Sequence, residues 1–158
     1  MQFLDFSAGV DSPEGVEAEL DRLERMRFLS PQQRAAVNST PIVRFFQSEL
    51  GRQLLSAARV EREYKFSLLV PALDYDTNAE LGEEVLLQGV VDCWFENEDG
   101  ITVIDFKTDR VTESTVSARA SGYTPQLAAY SRALSQVLCR PVNRRCLWFF
   151  QIGQSVEV

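Results

Sequence analysis

The stretch Leu87–Asp109, LQGVVDCWFENEDGITVIDFKTD, constrains the fold more than any other part of the chain. Valine, leucine and aromatic residues fill a run from about Val85 to Phe95, and a second β-rich run extends from Ile101 to Lys107. Between them lies Glu96-Asn97-Glu98-Asp99-Gly100, whose Asp-Gly is a strong short-range hairpin signal. Alternation along a strand puts Ile101, Val103, Asp105 and Lys107 on one face, with Thr102, Ile104 and Phe106 on the other. A hairpin closing symmetrically about the turn pairs Phe95 near Thr102 and brings Asp92 close to Asp105. Two carboxylates and a lysine then meet at its open end.

Such a cluster carries an electrostatic problem. Two carboxylates about 4 Å apart repel by roughly 1 to 4 kcal/mol, according to the local dielectric. An isolated site answers by protonating one of them. A hard divalent cation answers differently, and an all-oxygen ligand set favours Mg²⁺ or Mn²⁺. Lys107, two residues beyond Asp105 on the same face, can hold a water or hydroxide near such an ion. A metal-activated water beside a lysine suits hydrolysis of a phosphodiester. The competing reading is a hairpin whose exposed face carries Asp, Asp and Lys as ordinary solvated charge. A structural Ca²⁺-binding hairpin is a weaker competitor, having too few oxygen ligands.

With 158 residues the chain is long enough for one domain with a sizeable core. No apolar run approaches the ~20 residues of a membrane span, and MQFLDFSAGVDSPEG lacks a basic-then-apolar signal pattern. The expectation is a cytoplasmic protein with no membrane partner. Cys93, Cys139 and Cys146 are odd in number and lack C-x-x-C spacing, so neither a disulfide framework nor a zinc site is indicated. Cys93, in mid-strand, reads as a small core residue. The absence of histidine excludes a histidine base or metal ligand within these residues. A net charge of −7 argues against gripping nucleic acid by charge alone. The charge is uneven, however: residues 1–100 hold 9 basic and 19 acidic side chains, residues 101–158 hold 7 and 4. The half containing Lys107 is the one a phosphate backbone can approach.

Residues 1–58 read as helical. Ser12-Pro13-Glu14 starts an amphipathic helix over about Pro13–Phe28, with Val16, Leu20 and Leu23 on its buried stripe. Ser30-Pro31-Gln32-Gln33 has the form of a capping box and opens a second helix. Thr40-Pro41 opens a third, with Ile42, Val43, Phe45, Phe46 and Leu50 buried and Gly51 as its weak point or end. The period changes to two from Val60, giving a half-buried strand that ends at Pro71. Asp74–Glu84 reads as a polar loop. Arg110–Gly122, rich in Ser and Thr, reads as a mobile loop able to cover a substrate. Thr124-Pro125 starts a helix over Pro125–Val137, within a span 124–138, and Gln126 and Tyr130 share one face near its start. An anionic ligand near a helix start is one way to partner such a pair; core packing is the other. Arg145–Ile152 reads as the last strand.

Four segments in order carry a resemblance: Arg62-Glu63-Tyr64-Lys65-Phe66, Gly89-Val90-Val91-Asp92, Ile104-Asp105-Phe106-Lys107-Thr108-Asp109, and Gln126-x-x-x-Tyr130. Together they resemble the RecB-like branch of the PD-(D/E)XK nucleases. More narrowly they are similar to the C-terminal nuclease domain of the larger, AddA-type chain of bacterial AddAB helicase–nucleases, and the ending IGQSVEV is similar as well. The resemblance implies an α/β fold, a central mixed β-sheet with flanking helices and a helical N-terminal part. It implies Asp92, Asp105 and the Phe106 carbonyl as Mg²⁺ ligands, and Lys107 orienting the attacking water. Gln126 and Tyr130 would shape the site and the strand path, with Glu63 in support. It further implies single-stranded DNA as substrate, delivered by an ATP-driven helicase during double-strand-break processing, and an AddB-like partner protein. The four cysteines of that partner's iron–sulfur cluster are absent, as are helicase motifs. The family's upstream histidine ligand has no counterpart either, so the expected object is a C-terminal fragment of a larger protein. Two functions follow: a metal-dependent deoxyribonuclease, or a catalytically silent fold that guides DNA or docks the partner protein.

Overall fold

The computed structural model describes residues 1–158, and its centre is a five-stranded mixed sheet in the order β1-β2-β3-β4-β5. β1 (Arg59–Pro71), β2 (Glu84–Asn97) and β3 (Gly100–Lys107) form an antiparallel meander. β4 (Val142–Phe149) runs parallel to β3, and β5 (Gln154–Glu157) returns antiparallel to β4. A parallel pair requires a crossover, which α5 (Val116–Ser121) and α6 (Thr124–Leu138) supply. The expected α/β architecture is present. The hairpin register is also as expected, with Phe95 opposite Thr102. Its tip is the pair Glu98-Asp99, and Gly100 follows with φ +111°, a conformation that only glycine adopts without strain.

One face of the sheet is covered by the N-terminal helices, the other by α5 and α6. On the first face Cys93, Phe95, Ile104, Cys146 and Trp148 join Phe45, Phe46 and Leu54 in one core. Phe45 makes edge-on contacts with Phe106 and Trp148 at 5.1 Å. On the second face Phe66, Val91, Trp94, Ile101 and Val103 pack with Ala133 and Leu134 of α6. Val91 and Cys93 are two residues apart yet lie in different cores, so β2 changes faces between them. β1 does the same: Val60 packs on the first face, Tyr64 and Phe66 on the second. The residues at the crossing are Glu63, with φ +51°, and Asp92, the one rung left unpaired between Arg62↔Cys93 and Tyr64↔Val91. The register is the same on both sides of that rung, so the pairing resumes after it while the pleat inverts.

α1 (Pro13–Arg25) buries Val16, Leu20 and Leu23, and the Ser12 hydroxyl caps it by accepting from Gly15 N. It ends three residues short of the expected Phe28. Arg27 adopts φ +62°, and Phe28 N–H returns to Leu23 C=O while Arg27 N–H returns to Glu24 C=O, a Schellman closure without glycine. α2 (Pro31–Ala36) has the expected Ser30/Gln33 capping box, with both bonds made. The next expected helix is in fact two, α3 (Thr40–Gln47) and α4 (Glu49–Leu55). The break falls at Ser48, whose hydroxyl accepts from Gly51 N, and not at Gly51 itself. Gly51 lies inside α4 where a Cβ would overlap the Phe45 carbonyl. Glycine is needed there for close approach, not to end a helix. The segment before α1 is pinned by buried Glu19, which accepts from Asp5 N at 2.7 Å, and by Arg22 and Arg62 donating to backbone carbonyls of residues 1–4.

Two further expectations are corrected. Arg110–Gly122 is not an open loop: Val111, Val116 and Ala120 are buried with Leu127, Leu147 and Phe149, and that apolar spacing folds α5. The last strand ends at Phe149, and the tail pairs back as β5. All three cysteines are free, and burial pushes the Cys93 thiol up to about 12. No helix is long and apolar enough to cross a membrane.

Gly51→Ala tests the close approach directly. In an unobstructed helix the change gains up to about 1 kcal/mol. Here overpacking should reverse the sign and destabilise by about 2 kcal/mol, read as a lowered Tm or urea midpoint.

Candidate active site

The β2–β3 ladder stops at Cys93↔Ile104, because β2 inverts its pleat at the next residue. Phe106 N–H is therefore left without a backbone acceptor. Asp92 Oδ2 takes its place at 2.9 Å, replacing the missing rung with a side chain. The carboxylate is thereby held against β3, on the rung of Asp105. Asp105 is 2% exposed and within hydrogen-bonding reach of Asp92. Burial pushes its carboxyl above the ordinary aspartate range; the Lys107 ammonium opposes this and the Asp92 charge adds to it. Lys107 Nζ forms an ion pair with Asp105 Oδ2 but not along a hydrogen-bonding direction, so that buried oxygen has no hydrogen-bond partner. The two carboxylates and the lysine meet where the hairpin reading placed them.

α6 supplies the opposite wall. Lys107 Nζ donates to Gln126 Oε1 at 3.3 Å, and Gln126 Nε2 donates to Tyr130 Oη at 2.6 Å. Asp105, Lys107, Gln126 and Tyr130 thus form one polar chain from the strand end to the second turn of the helix. Burial raises the Tyr130 phenol, assisted by the charges of Asp105 and Asp92 and opposed by its bond to Gln126. Its ring stands edge-on to Phe66 at 5.9 Å. Gly89 leaves room for both rings: a Cβ there would come within 2.7 Å of Phe66 Cζ and 3.4 Å of Tyr130 Cε1. The cap differs from expectation. Thr124 lies inside the helix, and Tyr123 precedes it with no side-chain cap bond.

Glu63 stands next to Asp92 across the β1–β2 ladder and is half-buried. It lies outside the hydrogen-bonded chain, and together with Asp92 it places negative charge near the Met1 amine. Asp109, the last residue of the third motif, and two residues that the motifs do not single out, Tyr123 and Arg119, complete the surroundings. Tyr123 lies with its ring centroid 3.8 Å from Lys107 Nζ. Its hydroxyl donates to Asp109 Oδ1 at 2.9 Å, and Arg119 Nε donates to the same oxygen at 2.6 Å. Burial would raise the Asp109 carboxyl, but the bonds from Arg119 and Tyr123 outweigh it and hold it low. The spacing Tyr123, Gln126, Tyr130 is i, i+3, i+7 along one helix face, a pattern available in the sequence.

The donors present fit a small divalent cation. No three His, Cys, Asp or Glu side chains converge on one point. Mg²⁺ does not require that, since it is commonly held by one or two carboxylates and keeps several waters. The buried Oδ2 of Asp105, held only by the Lys107 ammonium, and the raised pKa of this carboxyl both mark a place that favours positive charge.

A folded-state pKa raised by burial has a definite sign in stability. The penalty is absent below the ordinary aspartate value of 3.8 and grows as pH rises through the raised native one. Asp105→Asn should therefore raise stability at pH values where the wild-type carboxyl is ionised, by on the order of 1 kcal/mol, the usual scale of single substitutions, read as a higher Tm. The gain should vanish on acidification. Added Mg²⁺ or Mn²⁺ should stabilise the wild type and leave the variant unmoved in the same melts.

The family model of the PD-(D/E)XK nuclease superfamily matches residues 4–156. The A-type chain of the ATP-dependent helicase/nuclease of Heliobacterium modesticaldum is 39% identical over 164 residues, which take in 100% of this chain and 12% of that protein. The protein of the same name from Desulforamulus reducens is 41% identical over 147 residues, 92% of this chain and 12% of its own. That of Bacillus anthracis is 34% identical over 167 residues, 100% and 13%. The chain thus spans about an eighth of the length of the curated relatives it matches. With a match that runs nearly end to end, the chain belongs to the PD-(D/E)XK nuclease superfamily.

Proposed function

We propose that residues 1–158 form one metal-dependent deoxyribonuclease domain that hydrolyses phosphodiester bonds of single-stranded DNA. The observation that carries this reading is the convergence of Asp92, Asp105 and Lys107 at the rung where β2 leaves β3. In this reading the domain is the C-terminal nuclease of an AddA-type helicase–nuclease chain, working exonucleolytically beside an AddB-like partner in the cytoplasm to process double-strand breaks. The names of its relatives support the helicase–nuclease setting. ATP would serve the motor of the parent protein.

Asp92 and Asp105, with the Phe106 carbonyl, would hold Mg²⁺ or Mn²⁺. The bound cation supplies Lewis-acid charge and lowers the pKa of a water. Lys107 would present its ammonium to the attacking water and to the charge developing on phosphate oxygens. Hydrolysis adds the water oxygen to phosphorus, breaks one P–O ester bond and leaves a proton on the departing hydroxyl. Gln126 and Tyr130 fix the lysine from the helix side and border the strand path. The first turn of α6, which carries Gln126, also offers unpaired backbone N–H groups and the positive end of the helix dipole to a phosphate. A surface hollow of about 470 Å³ lined by Lys65, Phe66, Ser67, Gln88, Gly89 and Val90 adjoins the Tyr130 ring, giving a strand somewhere to lie. Glu63 supports the bend that presents Asp92.

One observation favours the silent alternative, in which the fold only guides DNA or docks the partner protein: no third acidic or histidine donor closes the cluster. Cleavage separates the readings. Single-stranded DNA incubated with this chain, and with one extended upstream, should be cut only with Mg²⁺ or Mn²⁺ and not after chelation. In the full-length parent, Asp105→Ala should abolish cleavage and spare ATP-driven unwinding. Wild-type cleavage by that variant would place the chemistry elsewhere.

Gln126→Ala should slow cleavage more than Tyr130→Phe, each moderately, with melting temperatures nearly unchanged. Variants that unfold easily yet cut normally per folded molecule would assign the pair to packing.

A further inference from the structure

We propose that Tyr123 is a positioning residue: its ring holds the Lys107 ammonium at the place where the lysine acts. The proposal rests on the nuclease reading of Lys107 given above. Lysine is a compact charge on a flexible four-carbon stem, so it is useful at a reacting centre only when something fixes its head. Lys107 is 13% exposed, and its head meets three groups: the Asp105 carboxylate, Gln126 Oε1 and the Tyr123 ring.

These three are not equivalent. Asp105 is the group a cation would claim, and on cation binding its hold on Lys107 weakens. The Gln126 bond, at 3.3 Å, is long for a charge-assisted contact. The ring, 3.8 Å from Nζ, offers an attraction that neither competes for the cation nor depends on it. Tyr123 is itself held on two sides. Its hydroxyl bonds to Asp109, two residues beyond Lys107 on the same segment, and Arg119 Nη2 donates to the hydroxyl at 2.6 Å. Its body packs against the core of Val111, Val116 and Leu127. As the residue that precedes the first turn of α6, it also sets the separation between Lys107 and Gln126. A ring so anchored keeps the ammonium in place while its ion-pair partner changes allegiance.

The chain offers an unusually clear measurement, because Lys65 and Lys107 are its two lysines. With ¹³C-labelled lysine, the ε-methylene signals of the 158-residue chain reduce to two, and exposed Lys65 serves as the internal reference. Ring current should move the Lys107 signal upfield. Tyr123→Phe keeps the ring and should keep the shift; Tyr123→Leu should abolish it. In the Mg²⁺-dependent cleavage assay, Tyr123→Leu should lower kcat about thirtyfold, the scale of a desolvated cation–π contact, with KM for single-stranded DNA nearly constant. Tyr123→Phe should stay within about twofold to threefold. If the leucine variant folds poorly, trifluorophenylalanine at 123 retains the ring's shape, cancels its quadrupole and should reproduce the loss. An unshifted Lys107 signal in the wild type overturns the proposal, as does a Tyr123→Leu enzyme with full kcat or a Tyr123→Phe enzyme as slow as the leucine variant. Absence of cleavage by every form, wild type included, overturns the nuclease reading instead, and the spectrum alone then decides the contact.

Discussion

A single hydrogen bond, from Phe106 N–H to the Asp92 carboxylate, joins the fold of this protein to its site. A buried backbone donor must find an acceptor, since leaving it unpaired costs about 1–3 kcal/mol. In the rest of the hairpin the neighbouring strand provides it. At Asp92 the strand has turned its pleat over, and a side chain stands in for the backbone. The substitution fixes the carboxylate without spending both of its oxygens, so Oδ1 keeps its acceptor capacity. Inversion of the pleat, end of the ladder and presentation of the carboxylate are one event.

The environment of that bond is electrostatically unsettled. Asp105 sits in the sheet with hydrophobic neighbours above and below, and burial pushes its carboxyl above the ordinary aspartate range. Lys107 relieves this only in part, leaving one oxygen without a hydrogen bond. Perturbed groups of this kind cluster at functional sites because an arrangement that strains the protein by itself rewards a ligand of the right charge. The aromatic wall of Phe45, Phe106 and Trp148 keeps the other face of β3 rigid and dry, so the strain is not relaxed from behind.

Much of this is legible in the residues. Period-two patterning around an acidic turn yields the register of β2 and β3, and the register alone brings Asp92 to Asp105. Capping chemistry locates the starts of α1 and α2. What escapes depends on tertiary contact. Gly51 reads as a helix end because glycine usually is one, whereas its role is set by the Phe45 carbonyl overhead. Residues 110–122 read as a loop because three small apolar residues, Val111, Val116 and Ala120, are too sparse to show a period. The positive φ of Glu63 has no signal at all, since a charged residue in a strand pattern gives no warning of a left-handed backbone. Tyr123 draws no notice in the sequence because its partner, Lys107, comes from a different element.

Beyond Asp92, residues 84–91 of β2 pair with β1 alone, so the meander extends as a two-stranded arm about 25 Å long at 3.3 Å per residue. Its tip is clasped to α6 by the Arg132–Asp74 ion pair, both side chains about 40% exposed. Exposed pairs of this kind contribute only about 0–1 kcal/mol. The arm is therefore weakly latched at its far end and tightly hinged at its near end, and the hinge pin is Asp92. Asp92 is thus the joint between the two-stranded arm and the three-stranded body, and its bond to Phe106 N–H is what ties the arm's root to β3.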